Sequence, residues 1–129
     1  MKRFVVFTAV ILFFALDAYA QNGGKAEPKR ISFAPGAVET VLRGSLENGE
    51  EMEYVFAARK GQSVTVRNSV NSMFDVRVFS SEFGVETEFE SSREFSVVVP
   101  EAGDYMLFVR KKMTRNPARS RFAVAIRIH

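Results

Sequence analysis

The chain has 129 residues, 47% of them hydrophobic, with a formal net charge of +3 and no cysteine. The lack of cysteine excludes disulfide bonds, cysteine–zinc sites and thiol nucleophiles. The single histidine is the last residue, His129, which argues against a catalytic triad or a metal site built on histidine.

The first 20 residues have the pattern of a secretory signal peptide. Two cations, Lys2 and Arg3, precede an apolar run from Phe4 to Leu16, and Ala18-Tyr19-Ala20 supplies the small residues of a cleavage site. The run is too short for an ordinary membrane span, although an uncleaved anchor is the alternative. We therefore predict a bacterial protein of the periplasm or a secreted one, with no stable membrane insertion after cleavage.

The rest of the chain predicts a tether followed by strands. Residues 21–29 are polar and contain glycine, proline and lysine, which is typical of a flexible tether. From residue 30 onwards apolar and polar side chains alternate with a period of two, the pattern of half-buried strands. Glu39–Leu46 shows this alternation weakly. Seven segments show it clearly, and their first apolar residues are Ile31, Met52, Val64, Phe74, Phe95, Tyr105 and Phe122.

Turn signals separate these segments. Asn48-Gly49 is a tight-hairpin dipeptide, and Gly61 and Gly103 occupy positions typical of turns. No window shows a sustained 3.6-residue apolar period of the kind that marks an amphipathic helix. About eight short strands at this spacing predict a single antiparallel β-sandwich or jelly roll over residues 30–129.

Acidic and basic residues are sorted along the chain. The part from Asp75 to Asp104 contains eight acids and two bases, whereas the part from Met106 to His129 contains seven bases and no acid. The segment "KKMTRNPARSRF" (111–122) joins two predicted strands and carries five cations around Pro117. Arginine offers a planar fork of donors that matches carboxylates. The segment therefore favours an acidic partner, with plain solvated loop charges as the alternative.

Other chemistries have weaker support. Glu86, Glu88 and Glu90 alternate and could bind Ca²⁺ from one strand face, but protective charges on an edge strand explain them as well. The glycines are too scattered for a phosphate-binding loop. Phe108 and Phe122, near the basic residues, fit strand periodicity better than base stacking. We predict no enzymatic activity, no cofactor, no metal and no nucleic-acid partner.

Five segments, taken in order, carry a resemblance to known proteins: "RISFAPGAVETVLRGSL", "YVFAARKGQSVTV", "FDVRVF", "SVVVPEAGDYMLFV" and "MTRNPARSRFAVAIRI". Together they resemble the periplasmic inhibitors of goose-type (g-type) lysozyme and, more loosely, the pre-peptidase C-terminal β-sandwich domains. "KGQ" and "P-x-x-G-D-Y" occur in both groups, whereas "M-T-R-N-P-A-R" matches the inhibitors. The resemblance covers roughly residues 30 to 129.

The resemblance implies a stand-alone exported sandwich, a monomer or weak dimer, whose loops enter the cleft of a goose-type lysozyme. Its arginines would pair with carboxylates of the catalytic region. Tyr105 has two interpretations, a groove contact or a core tyrosine, because it shares parity with Leu107. The alternative function is a non-catalytic carbohydrate- or peptidoglycan-binding or envelope accessory module of the pre-peptidase C-terminal type. The predicted partner-binding residues are Gly103, Tyr105, Arg115, Asn116, Arg119 and Arg121.

Overall fold

The structure, a computed structural model, describes residues 27–129; the predicted signal peptide and most of the predicted tether lie outside this part. The described part consists of nine strands and no helix, and it has no helix long and apolar enough to cross a membrane. The strands are β1 (Lys29–Arg30), β2 (Glu39–Glu47), β3 (Glu51–Ala58), β4 (Ser63–Asn68), β5 (Phe74–Ser80), β6 (Val85–Glu86), β7 (Glu94–Val98), β8 (Gly103–Lys111) and β9 (Arg119–Ile128).

The strands form two sheets packed against each other, which confirms the predicted all-β sandwich. One sheet has the order β1-β3-β8-β5-β6 and the other the order β2-β9-β4-β7. All pairs are antiparallel except β1 with β3. Because β8 and β9 are consecutive but belong to different sheets, residues 112–118 cross from one sheet to the other at one end of the sandwich.

The inward faces of the two sheets share one hydrophobic core. Every second residue of β8 is buried, and Tyr105, Leu107 and Val109 have no exposed surface. On the opposite sheet β9 alternates in the same way from Phe122 onwards. The rings of Phe74 and Phe122 meet edge to face with centroids 5.6 Å apart. This contact joins the two sheets at the end where residues 112–118 cross.

Two strands extend further into the basic segment (111–122) than the sequence predicts, which shortens the connection between them. β8 continues to Lys111, whose side chain keeps the inward parity of Val109 and is buried. β9 begins at Arg119 instead of Phe122, because the backbone pairs with β2 from that residue onwards. The connection itself therefore contains only two of the five cations, Lys112 and Arg115. The weakly predicted strand is a full strand of nine residues, β2.

The close pairing of Gly44 with Phe122 generates a prediction about packing. A Cβ at position 44 would lie 2.6 Å from Cε2 of the Phe122 ring, closer than two carbons can approach. We expect Gly44→Ala to lower the free energy of unfolding by about 1–3 kcal/mol, the usual cost of overpacking, as measured by urea denaturation. Val41→Thr, on the exposed side of the same strand, should change it by less than about 0.5 kcal/mol. A Gly44→Ala variant as stable as wild type would contradict this packing.

Candidate functional site

Residues 112–118, which join β8 to β9, form an exposed loop that we call the arginine loop. Arg115 and Asn116 lie at its tip and are exposed. None of the ion pairs formed within residues 27–129 includes Arg115. A guanidinium group carries five N–H donors in a planar fork. Arg115 therefore presents a charged group that can bind a carboxylate without first breaking an internal ion pair.

The β2–β3 hairpin holds the arginine loop in place through Asn48. The backbone amide of Asn48 donates to the carbonyl of Ala118 at 2.9 Å, and its Nδ2 donates to the carbonyl of Thr114 at 2.6 Å. The backbone amide of Thr114 donates in return to Oδ1 of Asn48 at 3.2 Å. The hairpin dipeptide Asn48-Gly49 thus positions a loop that lies 66 residues further along the chain.

A buried lysine underlies the same contact. Lys111 is 1% exposed, and its ammonium group donates to Asn48 Oδ1 at 2.9 Å, to the Lys112 carbonyl at 2.9 Å and to Thr114 Oγ1 at 2.7 Å. These bonds use all three donors of the ammonium group and offset part of the cost of burying a charge. Within residues 27–129 no carboxylate pairs with it. The ammonium group of Lys111 therefore joins the loop to the hairpin by hydrogen bonds to uncharged oxygen atoms.

The contribution of Asn48, Lys111 and Thr114 was not predicted from the sequence. A signal for Lys111 was present, because it lies two residues beyond Val109 and has the same parity as the buried face of β8. Asn48 was recognised only as a turn residue, and Thr114 only as part of the basic segment. The hydrogen bonds among these residues connect distant parts of the chain, so no local sequence pattern predicts these bonds.

Asp75 neutralises two further cations at the root of the arginine loop. It accepts a hydrogen bond from Nη2 of Arg110 at 3.0 Å and lies 3.7 Å from Nζ of Lys112, while Oγ of Ser91 donates to Oδ1 at 2.5 Å. Burial on its own would raise the pKa of Asp75. The hydrogen bonds from Ser91 and Arg110, with the positive charges of Lys112 and Arg110, outweigh it and hold the pKa below its ordinary value.

Arg119 and Arg121 lie on β9, beside the loop, and face the solvent. Nη1 of Arg119 donates to Oε1 of Glu47 at 3.0 Å, and its Nε donates to Oγ of Ser45 at 3.1 Å. Arg121 is exposed, lies opposite Ser45 in the β2–β9 register, and has no ion-pair partner within residues 27–129. The structure thus brings both arginines to the same end of the sandwich as Arg115.

The predicted "GDY" turn lies at the other end. β8 begins at Gly103 and has nine residues, so its two ends are roughly 26 Å apart at about 3.3 Å per residue. Tyr105 has no exposed surface, and its hydroxyl donates to the carbonyl of Glu101 at 2.5 Å. A Cβ on Gly103 would lie 2.6 Å from the ring of Phe83. Of the two interpretations of Tyr105, the structure shows the core tyrosine.

The alternating acids form part of a sheet edge. Glu86 belongs to β6 and pairs with Arg77 at 2.8 Å. Glu90 bonds through its backbone amide and carbonyl to Val76 of β5. Within residues 27–129 no three histidine, cysteine, aspartate or glutamate side chains converge on a point where a metal ion could bind.

Comparison with solved structures relates this fold to one group of proteins. The chain resembles the PliG proteins, periplasmic inhibitors of g-type lysozyme. The Aeromonas hydrophila protein matches with a TM-score of 0.64 and 23% identity, over 79% of this chain and 96% of its own. The Salmonella Typhimurium protein matches with a TM-score of 0.62 and 26% identity, over 81% of this chain and 100% of its own. A mutant of the Escherichia coli protein matches with a TM-score of 0.59 and 27% identity, over 79% and 97% of the two chains.

A further likeness extends only to the fold. The pre-peptidase C-terminal domain of a Bacillus anthracis collagenase matches with a TM-score of 0.53 and 15% identity, over 83% of this chain and 99% of its own. No protein-family model matches the chain, and no curated protein sequence matches it. The PliG resemblance therefore rests on three-dimensional structure together with modest sequence identity.

The ammonium group of Lys111 can be tested by removing it while keeping the aliphatic chain. Lys111→Met leaves Asn48 Oδ1 and the Lys112 carbonyl without this donor. We expect the free energy of unfolding to fall by about 1–3 kcal/mol, the cost of leaving buried polar groups unpaired, and the amide of Thr114 to exchange hydrogen faster. Denaturant unfolding and hydrogen exchange measure the two effects. The control is Lys60→Met in the exposed β3–β4 turn, and equal behaviour of the two variants would contradict the assigned role.

The lowered pKa of Asp75 predicts a pH dependence of stability. A carboxylate with a lowered folded-state pKa stabilises the fold above the ordinary aspartate pKa of about 3.9, and this contribution is lost as the pH falls through the folded-state pKa. Asp75→Asn should therefore be less stable than wild type at neutral pH, and the difference should narrow below about pH 4. Urea unfolding at a series of pH values measures it, with Glu82→Gln as an exposed control. A difference that stays constant into acid would refute the assignment.

Proposed function

We propose that this chain is an exported inhibitor of g-type lysozyme that acts by binding and catalyses no reaction. The observation that carries the proposal is the fold likeness to three PliG inhibitors, matched over 96%, 100% and 97% of their own lengths. Two of them share 26% and 27% identity with this chain. The PliG proteins are periplasmic, and together with the predicted signal peptide this supports a periplasmic or secreted location.

The arginine loop is proposed to be the element that enters the lysozyme cleft. Its anchoring by Asn48 and Lys111 fixes the backbone before a partner arrives, so little conformational entropy is lost on binding. Arg115 and Asn116 are exposed at its tip. Glycoside hydrolases of the lysozyme type carry a pair of carboxyl groups in a cleft. A charge-assisted hydrogen bond from Arg115 to such a group would contribute about 1.5–3 kcal/mol.

Arg119 and Arg121 are proposed to extend this contact along β9. The Arg119–Glu47 pair has side chains that are 61% and 60% exposed, and exposed pairs are weak. Arg119 can therefore exchange Glu47 for a carboxylate of the partner. Its net contribution to the binding free energy would be smaller than that of Arg115, because the pair with Glu47 is lost. Gly103 and Tyr105 lie at the opposite end of β8, so we propose that they shape their own turn and do not enter the same contact.

A titration of g-type lysozyme activity tests the loop. Arg115→Ala should weaken inhibition at least about tenfold, equivalent to ~1.4 kcal/mol, because its guanidinium is the exposed charge at the loop tip. Arg119→Ala should weaken inhibition less, because this side chain already has a partner. Arg59→Ala is the matched control, an exposed arginine in the turn at the far end of the sandwich. Thermal melts of the three variants should coincide with that of wild type, since exposed charges contribute little to stability.

Two outcomes would contradict the proposal at different levels. Equal inhibition by wild type and by the Arg115→Ala/Arg119→Ala double variant would remove the loop from the mechanism while leaving the inhibitor function. Wild-type protein that leaves g-type lysozyme fully active would overturn the function itself. Chicken-type and invertebrate-type lysozymes belong in the same panel, because inhibition of one of these alone would assign a different partner.

A further inference from the structure

The outward face of the β2-β9-β4-β7 sheet carries a depression along β9. Its floor consists of Ala123 and Ala125, small residues on a strand with neighbours on both sides. The register places Arg43 of β2 opposite Ala123, and Arg67 of β4 opposite Ala125. The long arginine side chains of the flanking strands therefore form the walls of the depression, and the two alanines form its floor. The depression has a volume of about 540 Å³ and is also lined by Arg93.

A second depression, of about 510 Å³, continues toward the arginine loop. It is lined by Arg43, Ser45, Arg121 and Ala123 together with the backbone around them. Arg43 and Ala123 border both depressions, so the two make one channel along β9, which we call the trough. Arg115 does not line it, so the trough is separate from the tip of the arginine loop.

The charge of the trough is positive. Of the glutamates on this face, Glu39 pairs with Arg67 and Glu47 with Arg119, whereas Glu94 of β7 lies opposite Arg67 without an ion pair within residues 27–129. Three arginines that line the trough form no ion pair within residues 27–129. These are Arg43, Arg93 and Arg121.

We propose that the trough binds an extended anionic glycan whose sugar rings carry carboxylates. Arginine forks match carboxylates in geometry and charge, and a low floor of alanine methyl groups lets the face of a sugar ring approach the sheet. The hydroxyl of Ser45 lines one side and can bond to ring hydroxyls. A protein that is exported into the cell envelope or beyond it encounters such polymers directly. The trough shares Arg121 with the proposed lysozyme contact, whereas Arg43 and Arg93 belong to the trough alone, so glycan binding is testable separately from inhibition.

The lining disfavours single-stranded nucleic acid and a protein partner. Binding of single-stranded nucleic acid relies on exposed aromatic side chains for base stacking, and the aromatic residue at the trough, Phe122, is 2% exposed. Protein interfaces concentrate their binding energy in buried aromatic and arginine residues. The trough supplies arginines, but its aromatic residue, Phe122, is buried and cannot act as such an anchor.

The test uses oligogalacturonide as the probe and its fully methyl-esterified form as the matched neutral probe. Calorimetric titration of the mature protein should show binding of the acidic form that weakens with added salt, and no binding of the ester. Arg43→Ala and Arg93→Ala should each weaken the affinity at least about tenfold, the lower end of the scale of one charge-assisted hydrogen bond. Ala123→Leu, which fills the floor without changing the charge, should weaken it as well. Arg115→Ala should bind like wild type.

Several results would overturn the proposal. One is equal binding of the acidic and esterified probes, and another is wild-type affinity in the Arg43→Ala/Arg93→Ala double variant. Tighter binding of heparin or single-stranded DNA than of oligogalacturonide would assign the trough to sulfated or phosphate polymers instead. Loss of lysozyme inhibition in the double variant would assign the trough to the enzyme interface. If Ala123→Leu fails to fold, the two exposed arginine variants still decide the question.

Discussion

The ammonium group of Lys111 is enclosed because β8 keeps a strict period of two up to its last residue. Tyr105, Leu107 and Val109 face the core, so the next residue of that parity faces inward too. At this end of the sandwich an inward-facing side chain lies beneath the arginine loop. The ammonium group of Lys111 therefore donates hydrogen bonds there to Asn48 and to neighbouring oxygen atoms. An apolar side chain there would remove the ammonium donor from these oxygens, although Asn48 Oδ1 would still accept from the backbone amide of Thr114. Buried polar groups that lose a partner are costly. The alternation that builds the core therefore also fixes the loop.

Internal ion pairs determine which cations a partner can reach. The acidic middle of the chain and its basic end meet in space, and several charges cancel there. Asp75 forms ion pairs with Arg110 and Lys112, and Asp104 forms one with Arg30. Arg115 at the loop tip and three arginines along the trough, Arg43, Arg93 and Arg121, have no such partner within residues 27–129. The net charge of the chain understates this local excess.

The fold was predictable because period-two alternation and turn dipeptides are local signals. The weak strand was hard to recognise because two residues break its alternation: the apolar Val41 faces the solvent, and Gly44 contributes no side chain to the inward face, where the Phe122 ring packs. The strand ends within the basic segment are not evident from the sequence, because a run of charged residues is typical of a loop, whereas Lys111 and Arg119 continue the strands. The trough could not be predicted, because it depends on the register of β2 and β4 on either side of β9. Such pairing is set by contacts far apart in sequence.

The hydrogen bonds that anchor the arginine loop also determine at which stage of folding the loop becomes ordered. Asn48 lies 63 residues from Lys111 and 66 from Thr114, so these bonds form only after two distant parts of the chain have met. Closing so long a segment is slow compared with forming a local turn. Until these parts have met, the arginine loop lacks the contacts that hold it in place. The partner binding that we propose for this loop is therefore a property of the completed sandwich and not of a partly folded chain.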